Sequence, residues 1–188
     1  MKRKILRILL LLALVLCQKA PAQGFIDWNA SWAYFKGTAE PSVPNTLWRE
    51  AGFDVSGWAT GNAPFRYGDG TGGTLLDDMA GTYSSMYLRK EFTVTDADSV
   101  DELRISVDYD DGFVLWINGE LILDVNAPAG YPYDGFAPAN HESGEWVTFV
   151  VAKENFLLVE GTNVIAVQGF NVSNTSSDFF LDLKAEGI

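Results

Sequence analysis

The chain has 188 residues, of which 47% are apolar, and its 13 basic and 25 acidic residues give a net charge of −12. So acidic a surface repels phosphate groups, which disfavours binding to nucleic acid and to anionic membranes. The charge itself favours solubility, and divalent-cation binding is the less favoured alternative.

The first 22 residues have the pattern of a signal peptide. Lys2, Arg3, Lys4 and Arg7 form a basic start, residues 8–17 are apolar but too few to span a bilayer, and residues 20–22 (Ala-Pro-Ala) resemble a cleavage site. Leu16 stands before Cys17 where a lipoprotein signal has a small residue, which favours simple secretion over lipidation. We therefore predict a secreted, periplasmic or cell-surface protein whose mature part, residues 23–188, is one domain.

Cleavage would remove five basic residues, no acidic residue and the single cysteine, and would leave a net charge of −17. The mature chain then has neither a disulfide nor a thiol nucleophile, so burial of apolar and aromatic side chains must stabilise it.

Period-two alternation predominates along the chain, and helical periodicity is nearly absent. An N-terminal strand is predicted near residues 31–36, followed by long loops that four tryptophans and several prolines and glycines pack over the fold. Further strands are predicted at residues 87–94, 103–109, 113–117, 121–125, 161–168 and 179–186. Residues 146–151 are more uniformly apolar than these strands, which predicts a strand buried on both faces. Short strands without intervening helices indicate a β-sandwich or barrel.

The segment from Asp108 to Glu120 is the most informative. It predicts the end of a strand, an acidic turn, a fully buried strand and a hairpin, because Asn118-Gly119 suits a type I′ turn. Trp116, within the apolar strand, is expected in the core.

Three segments carry a resemblance to a known kind of module. They are the strand Tyr-Leu-Arg-Lys-Glu-Phe-Thr-Val at residues 87–94, the Asp-Asp-Gly to Asn-Gly hairpin at residues 110–119, and Gly-Thr-Asn-Val-Ile-Ala-Val at residues 161–167. In this order the chain resembles galactose-binding-domain-like jelly rolls of secreted bacterial proteins and, more distantly, the sugar-binding domain of family 2 glycoside hydrolases. The resemblance covers residues 28–186 and implies an all-β jelly-roll β-sandwich, of about eight strands.

Clustered acidic and amide side chains suggest an ion site. Asp110 and Asp111 follow a strand, but EF-hand spacing fails because Gly119 stands where the bidentate glutamate belongs. We favour a role for both in shaping the turn. The alternative is that one of them joins Asn171 or Asp178 at a cation or ligand site, and the resemblance implies that this cation is calcium.

Aromatic residues in loops are candidates for carbohydrate binding, since sugar faces stack on rings while hydroxyls take hydrogen bonds. Tyr131, Tyr133 and Phe136 lie in a Gly/Pro-rich loop and form the first choice, and Arg66, Tyr67 and Asp69 are further candidates for the same surface. The alternative is that these rings cover the edge of the sandwich. The glycines at 68, 70 and 73 match a dinucleotide motif by spacing only, and a loop is predicted there.

Catalytic motifs are missing. No G-x-S-x-G is present, zinc would lack nitrogen and sulfur ligands, and His141 is predicted to be an exposed loop residue. The leading hypothesis is a non-catalytic module that binds a glycan or polysaccharide. A structural or protein-interaction domain with a protein partner is the second, and a glycosidase or polysaccharide lyase the third.

Overall fold

The computed structural model describes residues 22–188, so the predicted signal peptide lies outside the described residues except for its last one. The described part contains twelve strands, three single-turn 3-10 helices and no α-helix. Its strands are β1 (Gln23–Ile26), β2 (Ser31–Lys36), β3 (Ala59–Asn62), β4 (Phe65–Tyr67), β5 (Thr74–Leu75), β6 (Ser85–Val94), β7 (Glu102–Asp110), β8 (Gly112–Ile117), β9 (Glu120–Val125), β10 (Val147–Ala152), β11 (Gly161–Phe170) and β12 (Phe179–Gly187). Among these residues there is no helix of the length and apolarity needed to cross a bilayer.

The strands form two six-stranded sheets that pack face to face. The first sheet has the order β10-β7-β12-β4-β5, with β1 paired to the other end of β12, and the second has the order β3-β2-β6-β11-β8-β9. All pairs are antiparallel except β4 with β5. The predicted all-β jelly-roll sandwich is confirmed.

The number of strands is higher than predicted. The four additional strands, β1, β3, β4 and β5, have two to four residues each and lie in or before the region predicted as loops. A segment of two to four residues has too few positions for an alternation of apolar and polar residues to be recognised. Each of these segments is a strand because a neighbouring strand pairs with it.

The main core lies between the two sheets, as the alternation predicted. Leu103, Ile105 and Val107 of β7 face inward, and Leu181 and Leu183 of β12 pack beside them. Strands β8 and β11 contribute Leu115, Ile165 and Val167 from the opposite sheet. Burial of these side chains is the main source of stability in a chain without disulfides.

A second core covers the outer face of the second sheet. Trp48, on the 3-10 turn Leu47–Arg49, packs edge-on against Tyr87 of β6 and Trp116 of β8. Strand β8 is therefore buried on both faces, as its continuous apolar sequence predicted. The loops that cover this face leave the outer face of the first sheet open.

The prediction that residues 146–151 are buried on both faces is wrong. Strand β10 is the edge strand of the first sheet, and only Val147, Phe149 and Val151 pack toward the core. Val150 is exposed because no segment packs over it, and Trp146, just before β10, is 46% exposed beside Trp28. A largely apolar strand is thus compatible with an edge position that has a free face.

Two asparagines fasten the predicted hairpin to β11. Asn118 and Gly119 have positive φ angles of 50° and 86°, as a type I′ turn requires. The Asn118 amide donates to Asn163 Oδ1 at 2.8 Å, and its own oxygen accepts the Val164 N–H at 2.9 Å. Asn163 is fully buried, accepts the Val159 N–H and donates to the carbonyls of Val159 and Gly161.

We expect Asn163→Ala to lower the free energy of unfolding by about 3 kcal/mol, since it leaves several buried polar groups of the hairpin and the following turn unpaired. Urea denaturation measures the change. Thr162→Ala, at an exposed neighbouring position on β11, is the control and should stay within about 0.5 kcal/mol of the parent. Equal losses in the two variants would contradict the role given to the Asn163 amide.

Candidate functional site

A cleft of about 430 Å³ opens on the uncovered outer face of the first sheet. Phe180 and Asp182 of β12 alternate with core residues and form its floor. Four loops complete the cleft: those between β1 and β2, between β3 and β4, between β4 and β5, and before β10. The lining residues, called the tryptophan cleft below, are Trp28, Asn29, Pro64, Thr71, Trp146, Phe180 and Asp182.

Two exposed tryptophans form one wall of the tryptophan cleft. Trp28 is 38% exposed and Trp146 is 46% exposed, and their ring centroids lie 3.8 Å apart with the ring planes at 54°. The other four tryptophans are mostly buried, so these two indoles are the ones that leave large apolar faces in water. Exposed aromatic faces beside polar groups in a concave site are typical of ligand-binding surfaces.

Two buried carboxylates hold the turns that carry these tryptophans. Asp182 accepts the backbone N–H of Asn29, next to Trp28, and the N–H of Leu183 at 2.8 Å. Asp108 of β7, which lies directly opposite Asp182, accepts the N–H of Gly144 at 2.8 Å, two residues before Trp146. Burial raises the pKa of Asp182 to about 6 and raises the pKa of Asp108 as well.

Three further acids meet at the end of β7, next to the tryptophan cleft. Asp110, Glu142 and Asp178, called the acidic cluster below, each place one carboxylate oxygen within 4.8 Å of the other two. Asp110 pairs across the sheet with Phe180 of the tryptophan cleft. Oxygens bound to one Ca²⁺ at about 2.4 Å are at most about 4.8 Å apart, so the spacing suits such an ion.

Asp110 is a buried acid that no positive charge of the described residues neutralises. Its side chain is 3% exposed, and burial raises its pKa to about 8, helped by the nearby charges of Asp111, Asp178 and Glu142. Within residues 22–188, no ion pair joins any member of the acidic cluster to a basic group. A divalent cation would supply the missing positive charge.

The structure separates the four residues predicted for a metal site. Asp110 and Asp178 belong to the acidic cluster. The two carboxylate oxygens of Asp111 accept the N–H groups of His141 at 2.9 Å and Val172 at 2.7 Å, which is the turn-shaping role favoured from the sequence. The Asn171 amide donates to the Tyr67 hydroxyl and to the Asp178 carbonyl.

Sequence reasoning missed Glu142 as a candidate. It stands 32 residues beyond Asp110 in an irregular loop, and no local pattern marks it. The fold brings it to the acidic cluster because Asp111 and Asp108 bind the backbone of residues 141 and 144. Asp110 and Asp178 as ion ligands remain a prediction.

His141 is not the exposed loop residue that was predicted. Its ring stacks on Tyr109 with centroids 3.9 Å apart and planes at 6°, and its Nδ1 lies 2.9 Å from the Tyr109 carbonyl oxygen. The stacked ring is partly buried and fixes the start of the loop that carries Glu142 and Trp146.

The six residues predicted for carbohydrate binding lie on opposite sides of the sandwich. Tyr131 and Tyr133 are half-buried over the second sheet, where Tyr131 packs edge-on against Trp116, while Phe136 is 41% exposed. These two tyrosines therefore mainly cover the sandwich, which was the alternative to carbohydrate binding considered for the loop aromatic residues.

The other three predicted residues belong to the first sheet and its loops. Arg66 of β4 donates its Nε–H to the Gly72 carbonyl, Tyr67 is buried with its hydroxyl bound to the Ser176 carbonyl, and Asp69 is exposed. The loop after β4 borders the tryptophan cleft through Thr71. No single surface joins all six residues.

Trp28 and Trp146 were not among the predicted binding residues. Trp146 was assigned to a strand buried on both faces, and Trp28 to a loop packed on the sandwich. Both indoles stand close to the end of a strand, where packing does not require a large ring. This position is the feature that could have marked them as candidate binding residues.

Comparison with known proteins gives likeness of fold only. Neither the protein-family models nor the curated proteins contain a match to the sequence. Among solved structures, the chain is similar to Bacteroides uniformis β-glucuronidase 2 covalently bound to cyclophellitol-6-carboxylate aziridine, with a TM-score of 0.56 and 15% identity over 89% of this chain. It is also similar to the Ruminococcus gnavus β-glucuronidase, with a TM-score of 0.55 and 10% identity, and to an uncultured Clostridium sp. β-glucuronidase, with a TM-score of 0.53 and 10% identity.

The chain covers 18% of the Bacteroides uniformis enzyme and 29% of the other two. It therefore resembles one part of each of these larger proteins. The resemblance to galactose-binding-like modules and to the sugar-binding domain of family 2 glycoside hydrolases is confirmed at the level of the fold.

Proposed function

We propose that the protein is an exported, non-catalytic carbohydrate-binding module whose ligand lies in the tryptophan cleft. The observation that carries the proposal is the pair Trp28 and Trp146, exposed side by side above Asp182. Sugar rings present apolar C–H faces that stack on indole, and their hydroxyls donate to carboxylates. The cleft offers both kinds of group within about 430 Å³.

The geometry favours binding over catalysis. Asp108 and Asp182 each accept backbone N–H groups that hold the turns of the tryptophan cleft, a positioning role for both carboxylates. The chain also resembles less than a third of each glycosidase to which it is similar, which suits an accessory module. Export is proposed from the sequence of the first 22 residues.

Removal of either exposed indole tests the proposal. We expect Trp146→Ala and Trp28→Ala each to weaken binding of the preferred polysaccharide by about 30-fold or more, because each removes a stacking surface at the centre of the site. Affinity electrophoresis against a polysaccharide panel identifies the ligand, and calorimetry then measures the affinities.

The matched control is Phe136→Ala, which removes an exposed ring from the loop over the second sheet. It should leave the affinity unchanged. If Phe136→Ala abolished binding while the two tryptophan variants kept it, the ligand would belong at the loop favoured from the sequence. Absence of binding to every glycan would refute the function itself.

We also infer that the acidic cluster binds calcium. A hard cation with oxygen ligands is the chemistry that three converging carboxylates offer, and buried Asp110 has no basic partner within the described chain. Glu142 lies four residues before Trp146, so an ion there would also fix one wall of the tryptophan cleft. Calorimetric titration of chelator-treated protein with calcium should show one site, which Glu142→Gln weakens.

A further inference from the structure

We propose that the tryptophan cleft selects sugars that carry a protonated amine, so that its ligand is an amino-sugar glycan. This inference rests on the proposed function and names the ligand class of the same site. Three features carry it: the charge of the lining residues, the charge of the surrounding strands and the chemistry of the two indoles.

Asp182 is the only ionisable side chain that lines the tryptophan cleft, and no basic residue lines it. Its side chain is 5% exposed and accepts two backbone N–H groups, but it forms no ion pair with any residue of the described chain. A buried carboxylate without a cation attracts a positive ligand more strongly than an exposed one, because water screens it less.

The strands around the tryptophan cleft add negative charge. Asp108 lies opposite Asp182, so the floor has an acid on the neighbouring strand β7 as well. Asp108 has no ion-pair partner among residues 22–188.

The nearby basic groups are engaged with other partners. Lys184 of β12 pairs with Glu186 at 2.8 Å, Arg66 of β4 donates to the Gly72 carbonyl, and His141 is hydrogen-bonded at Nδ1 to Tyr109. None of the three lines the tryptophan cleft. Arg66 lies opposite Phe180 on β4 and keeps its charge, so the negative charge inside the cleft itself is that of Asp182.

An amino sugar satisfies this arrangement better than the other sugar classes. Its ammonium group can donate to Asp182 while its ring stacks on indole, and an ammonium over the face of tryptophan gains a further cation–π attraction. A neutral sugar offers only stacking and hydroxyl hydrogen bonds. A uronic acid would bring a second carboxylate close to Asp182 and be repelled.

The experiment compares two oligosaccharides with the same β-1,4-linked backbone. Glucosamine hexamers carry free amines, and N-acetylglucosamine hexamers carry neutral amides. Calorimetry at about pH 7, with calcium present throughout, should show at least about tenfold tighter binding of the amine form. Asp182→Asn should remove most of that difference, because it weakens binding of the amine form about tenfold more than binding of the acetylated form.

Asp69→Asn is the matched control, because it removes one exposed acid from the adjoining loop without changing the lining. It should preserve the selectivity, which separates recognition by Asp182 from general attraction to an acidic protein. Circular dichroism and thermal unfolding establish that Asp182→Asn remains folded.

Equal affinity for the two hexamers, or an equal loss of selectivity in Asp69→Asn and Asp182→Asn, would overturn the inference. Binding of a neutral polysaccharide without binding of the glucosamine hexamer would also overturn it and would leave the proposed function intact. Failure to bind any glycan would refute both together.

Discussion

Calcium is expected to raise the midpoint of thermal unfolding by about 5–10 °C at pH 8 and to change it little at pH 5. The reason is competition with a proton at Asp110, whose pKa is raised to about 8, chiefly by burial, against about 3.9 in an unfolded chain. At pH 5 the folded protein holds this proton, and calcium must displace it. At pH 8 the carboxylate is half ionised and the ion binds readily. Differential scanning fluorimetry after dialysis against a chelator measures both shifts.

For the calcium-free protein, the direction in which stability changes with pH follows from the same pKa. Between about pH 4 and pH 8 the folded state binds a proton that the unfolded state has lost, so the free energy of unfolding falls as the pH rises through this window. Asp182, with its pKa raised to about 6, contributes in the same direction up to about pH 6. The calcium-free protein should therefore melt at a lower temperature at pH 8 than at pH 5.

Two variants separate the acidic cluster from general effects of charge. Asp110→Asn cannot ionise, so it should flatten the pH dependence between pH 6 and pH 8 and abolish the calcium shift. Asp69→Asn removes an exposed acid and should keep both effects. A calcium shift of equal size at both pH values, or one that survives in Asp110→Asn, would place the ion elsewhere.

The strands were predictable from local pattern wherever they are long. Leu103, Ile105 and Val107 alternate with polar residues, and in the structure they face the core from β7. The Asn118-Gly119 turn was predictable because its backbone angles need those residue types. A pattern of this kind shows only which face of a single strand is buried.

The candidate site was less predictable because it depends on which face of each sheet is covered. Trp116 and Trp146 both stand in apolar segments, yet Trp116 is 2% exposed and Trp146 is 46% exposed. The difference arises because the loops after β2 and β9 cover the second sheet and leave β10 at an open edge. The acidic cluster likewise joins residues from β7, from the loop before β10 and from the residue just before β12, and only the fold brings them together.

The largest loss of stability is expected for Trp48→Ala, about 4 kcal/mol in the free energy of unfolding. Trp48 is fully buried, with its ring 5.0 Å from Tyr87 and 5.5 Å from Trp116, both in edge-on geometry. The Arg49 guanidinium lies 3.8 Å above the Trp116 ring and depends on the same packing. Loss of the indole opens a cavity that two flat aromatic neighbours cannot fill. Chemical denaturation monitored by circular dichroism measures the change.

Trp48→Phe is the matched control. It keeps an aromatic ring against Tyr87 and Trp116, and it removes an indole N–H that is buried without a hydrogen-bond acceptor. The smaller cavity costs stability, but deletion of an unpaired donor offsets part of that cost, so the loss should be less than half that of the alanine variant. Equal losses would mean that contacts of the indole beyond its ring packing dominate at this position.

The two tryptophan positions should separate stability from binding. Trp48 packs on the outer face of the second sheet, whereas Trp146 lies over the outer face of the first, with the main core between them. Folded Trp48→Ala should therefore keep the glycan affinity of the parent, and Trp146→Ala should lose clearly less stability than Trp48→Ala, because nearly half of Trp146 stays in water. Loss of glycan binding in folded Trp48→Ala would instead locate the ligand on the second sheet, beside Tyr131 and Tyr133.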